Sequence, residues 1–327
     1  MKAMVIASHG DASVFKAADI EPSDLKPGYV RMKVHATSVN PLDCKIRGLG
    51  LPVGPELPGV LHGDVAGVVE EVGDGVTGFA TGDRVFGCAG GVKGEDGALA
   101  EFMNCDASLL AAMPEALEFT EAATLPLVCL TAWEGLIDKA NIQPNQTVLI
   151  HGGAGGVGHV AVQIAKAKGA DVFATISDEA KAAIAEKLGA TPINYRKSSV
   201  ADYVAEHTGG AGFDVVYDTV GGDNIPRSWE AARAGGIVVS CQSNSTQDMT
   251  PIHLKGLTHA GVLMLLPLLT GNGREHHGHI MSEIAALSDQ GQIAPLMDEA
   301  VFELDQVADA HRRWESGEAI GKIAIQV

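Results

Sequence analysis

Residues 148–181 read VLIHGGAGGVGHVAVQIAKAKGADVFATISDEAK, with the pattern G-x-G-x-x-G between a short apolar strand and a helix. A second strand, DVFATI, follows the helix. In such a unit the first glycine permits a tight turn, the second lets the backbone approach a pyrophosphate, and the third lets the helix pack closely. The helix N-terminus adds free N–H groups and a partial positive charge. The residues predicted to bind a dinucleotide here are Gly153, Ala154, Gly155, Gly156, Val157 and Gly158.

Strands and helices continue to alternate after this unit. Apolar strands that alternate with helices indicate parallel βα units, so the predicted fold class is α/β with a doubly wound parallel sheet. Residues 1 to about 120 are instead rich in β-branched segments bounded by Gly, Pro and Asp, which predicts a β-rich part. A helix is predicted from an N-cap at Thr120, with a kink at Pro126. The predicted C-terminal glycines of later helices are Gly169, Gly189, Gly209 and Gly235.

The composition restricts the partners and the compartment. The chain has 327 residues and a formal net charge of −18, and an acidic surface repels nucleic acid and anionic lipid. Its five cysteines lie far apart, at 44, 88, 105, 129 and 241, which predicts free thiols in a reducing cytoplasm. The apolar run at 261–271 is too short to span a bilayer, and the N-terminus lacks the apolar stretch of a signal peptide.

The end of the second strand, ATIS, distinguishes between the two nicotinamide cofactors. NAD sites usually carry Asp or Glu there to bind the ribose 2′-hydroxyl, whereas this chain has Ile176. Ser177 and Lys181 follow and are suited to a 2′-phosphate, although Asp178 and Glu179 are close by. We therefore expect NADPH as the cofactor. The alternative for Lys181 is a solvated helix residue.

The whole chain resembles the medium-chain dehydrogenases/reductases, in their zinc-independent quinone oxidoreductase (zeta-crystallin-like) and enone reductase branch. The motifs that carry the resemblance are SVNPLDCKIRG, PELPGVLHGDVAGVVEEVGDGVTGFATGDRVFG, AATLPLVCLTAWEGL, GGAGGVGHVAVQIAK, GFDVVYDTVGG and HRRWESGEAIGKI. The resemblance implies a GroES-like, partly open β-barrel catalytic domain from residues 1–122 and 264–327. It further implies a Rossmann domain from 123–263, a cleft between the domains, and a homodimer.

The resemblance also implies roles for particular residues. Asn40 and Asp43 would line the cleft, and Thr131 would lie beside the nicotinamide. Tyr195 would join Ser177 and Lys181 around the 2′-phosphate. The residues expected at the riboses and the nicotinamide are Thr219, Val220, Ser240, Gln242 and Ser243.

Lys45 is a candidate electrostatic or acid group for catalysis. Quinone oxidoreductases often have the pattern DxYxRxG, whereas this chain reads Asp43-Cys44-Lys45-Ile46-Arg47. This departure favours enone or alkenal reductases over quinone reductases. The alternative for both Lys45 and Arg47 is charge on a helix surface.

No metal is expected. The zinc-dependent relatives hold catalytic zinc with Cys, His and Cys, and the matching positions here are Asn40, Gly63 and Leu127, which are not zinc ligands. His62 and Asp64 flank Gly63 and leave a displaced ligand set as an alternative. The histidines of REHHGHIM, at 276, 277 and 279, are interpreted as a polar cap before a helix, with metal binding as the alternative.

Without a Lewis acid, alcohol oxidation is difficult, whereas conjugated acceptors delocalise the added charge onto oxygen. The sequence therefore predicts a zinc-independent, NADPH-dependent oxidoreductase that reduces quinones or α,β-unsaturated carbonyls, both small molecules. One alternative is a zinc-type alcohol dehydrogenase with displaced ligands. Another is a non-catalytic NADPH-binding protein with a structural or sensing role.

Overall fold

The computed structural model describes residues 1–242 and 244–327, and the chain divides into two compact units. The first unit comprises Met1–Leu127 and Leu265–Val327, and the second comprises Val128–Met264. The strands are β1 Lys2–Ile6, β2 Phe15–Asp19, β3 Tyr29–Ser38, β4 Gly59–Val60, β5 Asp64–Val72, β6 Arg84–Cys88, β7 Phe102–Asp106, β8 Leu110–Ala112, β9 Thr147–His151, β10 Asp171–Ile176, β11 Thr191–Asn194, β12 Phe213–Asp218, β13 Ala232–Ser240, β14 Thr258–Gly261, β15 Met297–Glu303 and β16 Lys322–Gln326. The helices are α1 Pro41–Leu49, α2 Phe119–Ala122, α3 Pro126–Trp133, α4 Gly156–Ala167, α5 Glu179–Lys187, α6 Val200–Thr208, α7 Ile225–Ala231, α8 Thr250–Lys255, α9 Leu266–Thr270, α10 Arg274–Asp289 and α11 Val307–Glu315.

The second unit is a six-stranded parallel sheet in the order β11-β10-β9-β12-β13-β14. The chain order reverses between β9 and β12, and in open α/β sheets ligands bind in the crevice beyond the carboxyl ends of the strands at such a point. Tyr217 and Val216 of β12 are buried, and Val216, Phe213 and Trp229 belong to one apolar core cluster. The predicted α/β class with a doubly wound sheet is confirmed.

The helix ends of the second unit follow local sequence signals at most positions. Asp178 caps α5 by accepting from the backbone N–H of Lys181, and α5 is followed by Gly189 at φ 95°. The prediction for Gly235 was wrong, because α7 ends at Ala231 and Gly235 lies inside β13. Gly235 has a φ of 68°, and the pairing of β12 with β13 shifts register in this region. The positive φ therefore belongs to an irregularity in the strand and not to a helix end.

The first unit is built around β3, which pairs with β5, β7 and β16. One sheet has the order β15-β16-β3-β5-β6-β8, and a smaller one has the order β2-β1-β4. The last strand, β16, runs antiparallel to β3 with Ala324 opposite Ser38. This pairing brings the C-terminal segment beside the start of α1, in the GroES-like arrangement that the resemblance implied.

The helix predicted from Thr120 differs in detail. Glu118 is the N-cap residue of α2, and Thr120 lies inside that short helix. Pro126 begins a separate helix, α3, because a proline fits the first turn of a helix better than its interior. Within residues 1–242 and 244–327, no helix has both the length and the apolar character that a membrane span requires.

Candidate functional site

The glycine loop follows β9 and leads into α4, which begins at Gly156. The positive φ of the turn, 72°, occurs at Gly152 and not at Gly153, the first glycine of the motif. Gly153 is required for another reason, since a Cβ there would lie 2.4 Å from the Cβ of Ala174 in β10. A Cβ on Gly158 would lie 2.0 Å from the carbonyl oxygen of Gly152, so only glycine allows the helix to start this close to the loop.

The strand order reverses between β9 and β12, and hydrogen bonds hold the chain where these two strands end. The Thr219 hydroxyl donates to the carbonyl of His151 at 2.6 Å. One carboxylate oxygen of Asp218 accepts from the backbone N–H groups of Val220 and Gly221 at 2.9 and 3.0 Å. These bonds shape the loop after β12, where Val220 is 57% exposed.

The loop after β13 lies at the same edge of the sheet. Ser240 is buried and its hydroxyl accepts from the N–H of Gln242, while the N–H of Cys241 donates to the carbonyl of Asp218. The loops after β9, β12 and β13 therefore lie at one edge of the sheet, and Thr219, Val220, Ser240 and Gln242 remain predicted cofactor residues. Ser243 lies outside the described residues.

The end of β10 presents a small polar group at the start of α5. The ammonium of Lys181 donates to the Ser177 hydroxyl at 3.2 Å, and that hydroxyl donates to Asp178 at 2.8 Å. Hydrogen bonds from the Lys181 backbone N–H and the Ser177 hydroxyl hold the pKa of Asp178 below its usual value. Ile176 is buried as the last residue of the strand. Lys181 and Ser177 thus contact each other, and a carboxylate contacts both.

Tyr195 follows β11 beside this group. Its backbone N–H donates to the carbonyl of Ile176 at 3.2 Å, and its side chain is 48% exposed. It is therefore not part of the core. The guanidinium of Arg196 lies 6.0 Å from the centroid of the Tyr195 ring, and no motif in the sequence indicates this second cation.

A buried polar network occupies the first unit, and we call it the Asp64 cluster. One carboxylate oxygen of Asp64 accepts from the Ser38 hydroxyl and the Asn40 amide, both at 2.8 Å. The other oxygen accepts from the backbone N–H of Leu127 at 2.7 Å. The Lys322 ammonium lies 3.7 Å from Asp64 and donates to the side-chain oxygen of Asn40 and to the Val39 carbonyl. The cluster comprises Ser38, Val39, Asn40, Asp64, Leu127 and Lys322.

Asp43 adjoins the cluster at the start of α1. Its carboxylate accepts from the backbone N–H of Asn40 at 2.8 Å, as in a capping box. Burial raises the pKa of Asp43 to about 7, and the negative charge of Asp64 adds to the rise. Lys45 is exposed, whereas Arg47 is buried and donates to the Gly10 carbonyl and to Glu315. The surface interpretation of Arg47 was therefore wrong, and Lys45 remains a predicted catalytic residue.

Two buried histidines continue the polar region of the first unit. Nε2 of His62 lies 2.9 Å from Nε2 of His311, whose Nδ1 lies 3.3 Å from the Cys44 sulfur. The Thr37 hydroxyl donates to the Asp64 carbonyl, so the 3.3 Å contact between Thr37 and Nδ1 of His62 makes that nitrogen the donor. Burial lowers the pKa of His311 to about 3 and that of His62 well below its usual value, so both rings are neutral.

Thr131 lies in α3 and is assigned to the second unit. Its carbonyl accepts from the buried Tyr217 hydroxyl at 2.7 Å, which ties α3 to β12. Its own side chain is 6% exposed. Its predicted place beside the nicotinamide remains a prediction.

The three positions that match the zinc ligands of relatives lie around one residue. Asn40 and Leu127 both donate to Asp64, and Gly63 precedes it in the chain. At these positions the chain has an amide side chain, a leucine and a glycine without a side chain. The Lys322 ammonium lies 3.7 Å from Asp64, the residue they surround. Such a set does not fit zinc, which binds thiolate, imidazole and carboxylate. No group of three or more metal-ligating side chains was found in residues 1–242 and 244–327.

The histidines at 276–279 lie in the first two turns of α10, not before a helix as predicted. His277 is buried, and the rings of His276 and His279 are 6.3 Å apart. The helix starts earlier than expected, at Arg274, which forms ion pairs with Glu95 and Asp106 of the same unit.

Two family descriptions match the chain. The alcohol dehydrogenase GroES-like domain matches residues 26–115, and the zinc-binding dehydrogenase family matches residues 156–271. The chain is 34% identical to the 2-methylene-furan-3-one reductase of Solanum lycopersicum, over 99% of this chain and 79% of that protein. It is also 34% identical to quinone oxidoreductase 1 of Escherichia coli (strain K12), over 94% of each. By contrast, it spans only 13% of a highly reducing polyketide synthase of Arthrinium phaeospermum that it also matches.

Solved structures show the same fold over the whole chain. An alcohol dehydrogenase superfamily protein from Novosphingobium aromaticivorans is 43% identical, with a TM-score of 0.94 over 99% of both chains. The Escherichia coli quinone oxidoreductase complexed with NADPH is 30% identical, with a TM-score of 0.86 over 100% of both chains. The fold and the two matched domains define a two-domain chain of the alcohol dehydrogenase type. The chain belongs to the medium-chain dehydrogenase/reductase superfamily, with quinone oxidoreductases among its homologues.

Proposed function

We propose that this chain is a zinc-independent, NADPH-dependent oxidoreductase that reduces small-molecule quinones or α,β-unsaturated carbonyls. The observation that carries the choice of cofactor is the end of β10, where a buried Ile176 replaces the usual acid and the Lys181 ammonium contacts the Ser177 hydroxyl. The exposed ring of Tyr195 beside it offers a surface for the adenosine end. The complex of a 30% identical quinone oxidoreductase with NADPH adds support.

The proposed absence of zinc is supported by the donors around Asp64. No thiolate, imidazole or carboxylate is present at Asn40, Gly63 and Leu127. The positive charge of Lys322 would also repel a metal cation. A conjugated acceptor needs less polarisation than an isolated ketone, because the added charge is delocalised onto oxygen. The names of the quinone and furanone reductases among the relatives agree with such acceptors.

The nicotinamide of NADPH, when bound, supplies a hydride to the acceptor. In the second unit, the glycine loop and the N-terminus of α4 bind and orient the pyrophosphate, and the loops after β12 and β13 hold the riboses. In the first unit, the Asn40 amide donates a hydrogen bond to the oxygen on which charge develops. Asp43, with its pKa raised to about 7 by burial, can gain or release a proton near neutral pH. Thr131 and Lys45 remain the other proposed catalytic residues.

Turnover assays with NADPH and NADH against 9,10-phenanthrenequinone and a panel of enones test the proposal. We expect oxidation of NADPH in preference to NADH, because only NADPH carries the 2′-phosphate. Lys181→Ala should raise the KM for NADPH about tenfold, as expected from losing about 1.4 kcal/mol of charge-assisted binding. The matched control is Lys187→Ala, an exposed lysine at the other end of α5. No oxidation of either cofactor with any acceptor would refute the enzymatic function, and a preference for NADH would refute the choice of cofactor.

We also propose a homodimer in the cytoplasm, as in the enzymes that the chain resembles. None of the five cysteines, all of which lie in the described residues, forms a disulfide, which suits a reducing compartment. Light scattering after size exclusion tests the dimer, with a mass of about twice 33.8 kDa expected. A monomer at micromolar concentration would refute the proposed assembly.

A further inference from the structure

Lys322 is a buried lysine at the first position of β16, with 4% of its surface exposed. Its ammonium donates to the Val39 carbonyl at 3.0 Å and to the side-chain oxygen of Asn40, and it lies 3.7 Å from Asp64. Burial lowers its pKa, while the charges of Asp64 and Asp43 oppose that change. The ammonium is therefore enclosed by acceptors inside the first unit.

The contacts of Lys322 determine which way the Asn40 amide points. An ammonium only donates hydrogen bonds, so the atom that faces it must be the amide oxygen. The nitrogen then faces Asp64 and donates to its carboxylate at 2.8 Å. The amide is held at both ends by opposite charges. Its nitrogen carries a second N–H besides the one bonded to Asp64, and a hydrogen bond from the Asn40 side chain also lowers the pKa of Asp43.

We propose that Lys322 is a positioning residue that orients and polarises the Asn40 amide for the acceptor oxygen. This inference rests on the proposed function, in which Asn40 donates to that oxygen. A cation at the amide oxygen draws electron density from the nitrogen and strengthens its N–H groups as donors. The donor is also preorganised, because the amide cannot rotate without losing bonds to both charged groups.

A role in stability alone explains the ion pair of Asp64 and Lys322 less well. Buried ion pairs contribute little net stability, because desolvation offsets their attraction, and apolar side chains of similar volume often do as well. The Asp64 carboxylate accepts hydrogen bonds from Ser38, Asn40 and Leu127, which are three donors besides the lysine. The hydrogen bonds of the Asp64 carboxylate therefore do not by themselves require a lysine at this position.

Lys322→Met is the direct test, since methionine retains most of the side-chain volume without the charge. We expect kcat with the best acceptor to fall about 10- to 100-fold, less than the cost of deleting a donor outright, with NADPH affinity by fluorescence unchanged. The matched control is Lys255→Met in the second unit. It also removes an ammonium that bonds to backbone carbonyls, in this case those of Trp229, Glu230 and Ala232. A Lys322→Met enzyme with the kcat of the control overturns the proposal.

A second measurement does not depend on turnover. In nitrogen-15 spectra, the side-chain amide of Asn40, assigned by its loss in Asn40→Ala, should be protected from solvent exchange in the wild type and exchange at least tenfold faster in Lys322→Met. Equal protection in both proteins overturns the proposal. If the wild type reduces no acceptor, the proposed function fails, and this measurement still decides the orientation of Asn40.

The variant leaves Asp64 without its cation and can lose stability for that reason. The double variant Asp64→Asn with Lys322→Met removes both charges, and we expect it to fold with the same loss of kcat and of Asn40 protection. A folded double variant with wild-type kcat overturns the proposal. Failure of both variants to fold would assign the pair to folding alone and would also overturn it.

Discussion

At the scale of single residues, Asp178 has two distinct roles at the start of α5. One carboxylate oxygen accepts from the Lys181 backbone N–H and caps the helix, and the other accepts from the Ser177 hydroxyl. The Lys181 ammonium lies 3.7 Å from that second oxygen. Ser177 and Lys181, two of the residues proposed for the 2′-phosphate of NADPH, are thus already in contact with a negative charge.

Asp178→Asn should therefore increase the preference for NADPH. Asparagine still caps the helix, while the repulsion of a 2′-phosphate is removed. We expect the affinity for 2′,5′-ADP to rise about fivefold and that for 5′-AMP to change little, because only the first ligand carries the 2′-phosphate. Glu179→Gln is the matched control, because Glu179 pairs with Lys197 instead. An unchanged ratio of the two affinities in Asp178→Asn would contradict this role.

At the scale of elements, α10 is joined to the strands of the first unit by one arginine. The guanidinium of Arg274 bonds to Glu95, Asp106 and Tyr29, and also to the carbonyls of Pro267 and Leu268. Arg274 and Glu95 are 11% and 6% exposed, so the pair is screened little by water.

Arg274→Met should lower the free energy of unfolding by about 3–5 kcal/mol, because it leaves Glu95 buried without its cation. Urea denaturation followed by circular dichroism measures the change. Arg312→Met, which breaks an exposed pair with Asp309, is the control and should cost at most about 0.5 kcal/mol. A similar cost for both variants would show that the buried network contributes no more than a surface pair.

Within the first unit, α11 contacts neighbouring residues through His311, whose ring lies against that of His62. His311 has its pKa lowered to about 3 by burial, and the charge of Arg47 acts in the same direction. Between pH 6.5 and 3 the unfolded chain binds a proton at this position that the native chain does not. Stability from this residue is therefore complete above pH 6.5 and is lost as the pH falls.

His311→Gln should reduce the dependence of unfolding free energy on pH in this interval. The slope should fall by up to about 1.4 kcal/mol per pH unit, the contribution of one proton. Denaturation at several pH values measures it, with His253→Gln in the exposed part of α8 as the control. The idea fails if the slope of His311→Gln equals that of the wild type.

At the scale of the whole molecule, the proposed chemistry requires no metal in either unit. Dialysis against a chelator should leave turnover with NADPH and the best acceptor unchanged, and metal analysis should find no stoichiometric zinc. The reason is that the donors around Asp64 do not form a zinc site. Zinc at one equivalent per chain, lost together with activity, would instead support a zinc-type dehydrogenase with displaced ligands.

The sequence by itself determined the α/β class, the glycine loop and the residues at the end of β10, because these features are local. A strand, a turn and a helix within thirty residues restrict one another through φ, close packing and free N–H groups. Ser177 and Lys181, four residues apart at a helix start, meet for the same reason. The end of α7 was predicted wrongly from Gly235, because pairing between β12 and β13 outweighed the local signal.

Only the tertiary structure decided the Asp64 cluster. Asn40 and Lys322 are separated by 282 positions, and no spacing pattern connects them. They meet because β16 pairs with β3 across the first unit, which places a lysine from the end of the chain beside the start of α1. The same pairing places the Lys322 ammonium beside the side-chain oxygen of Asn40. Burial then sets the charges there, because desolvation shifts the pKa values of Asp43 and Lys322 in ways that local sequence does not encode.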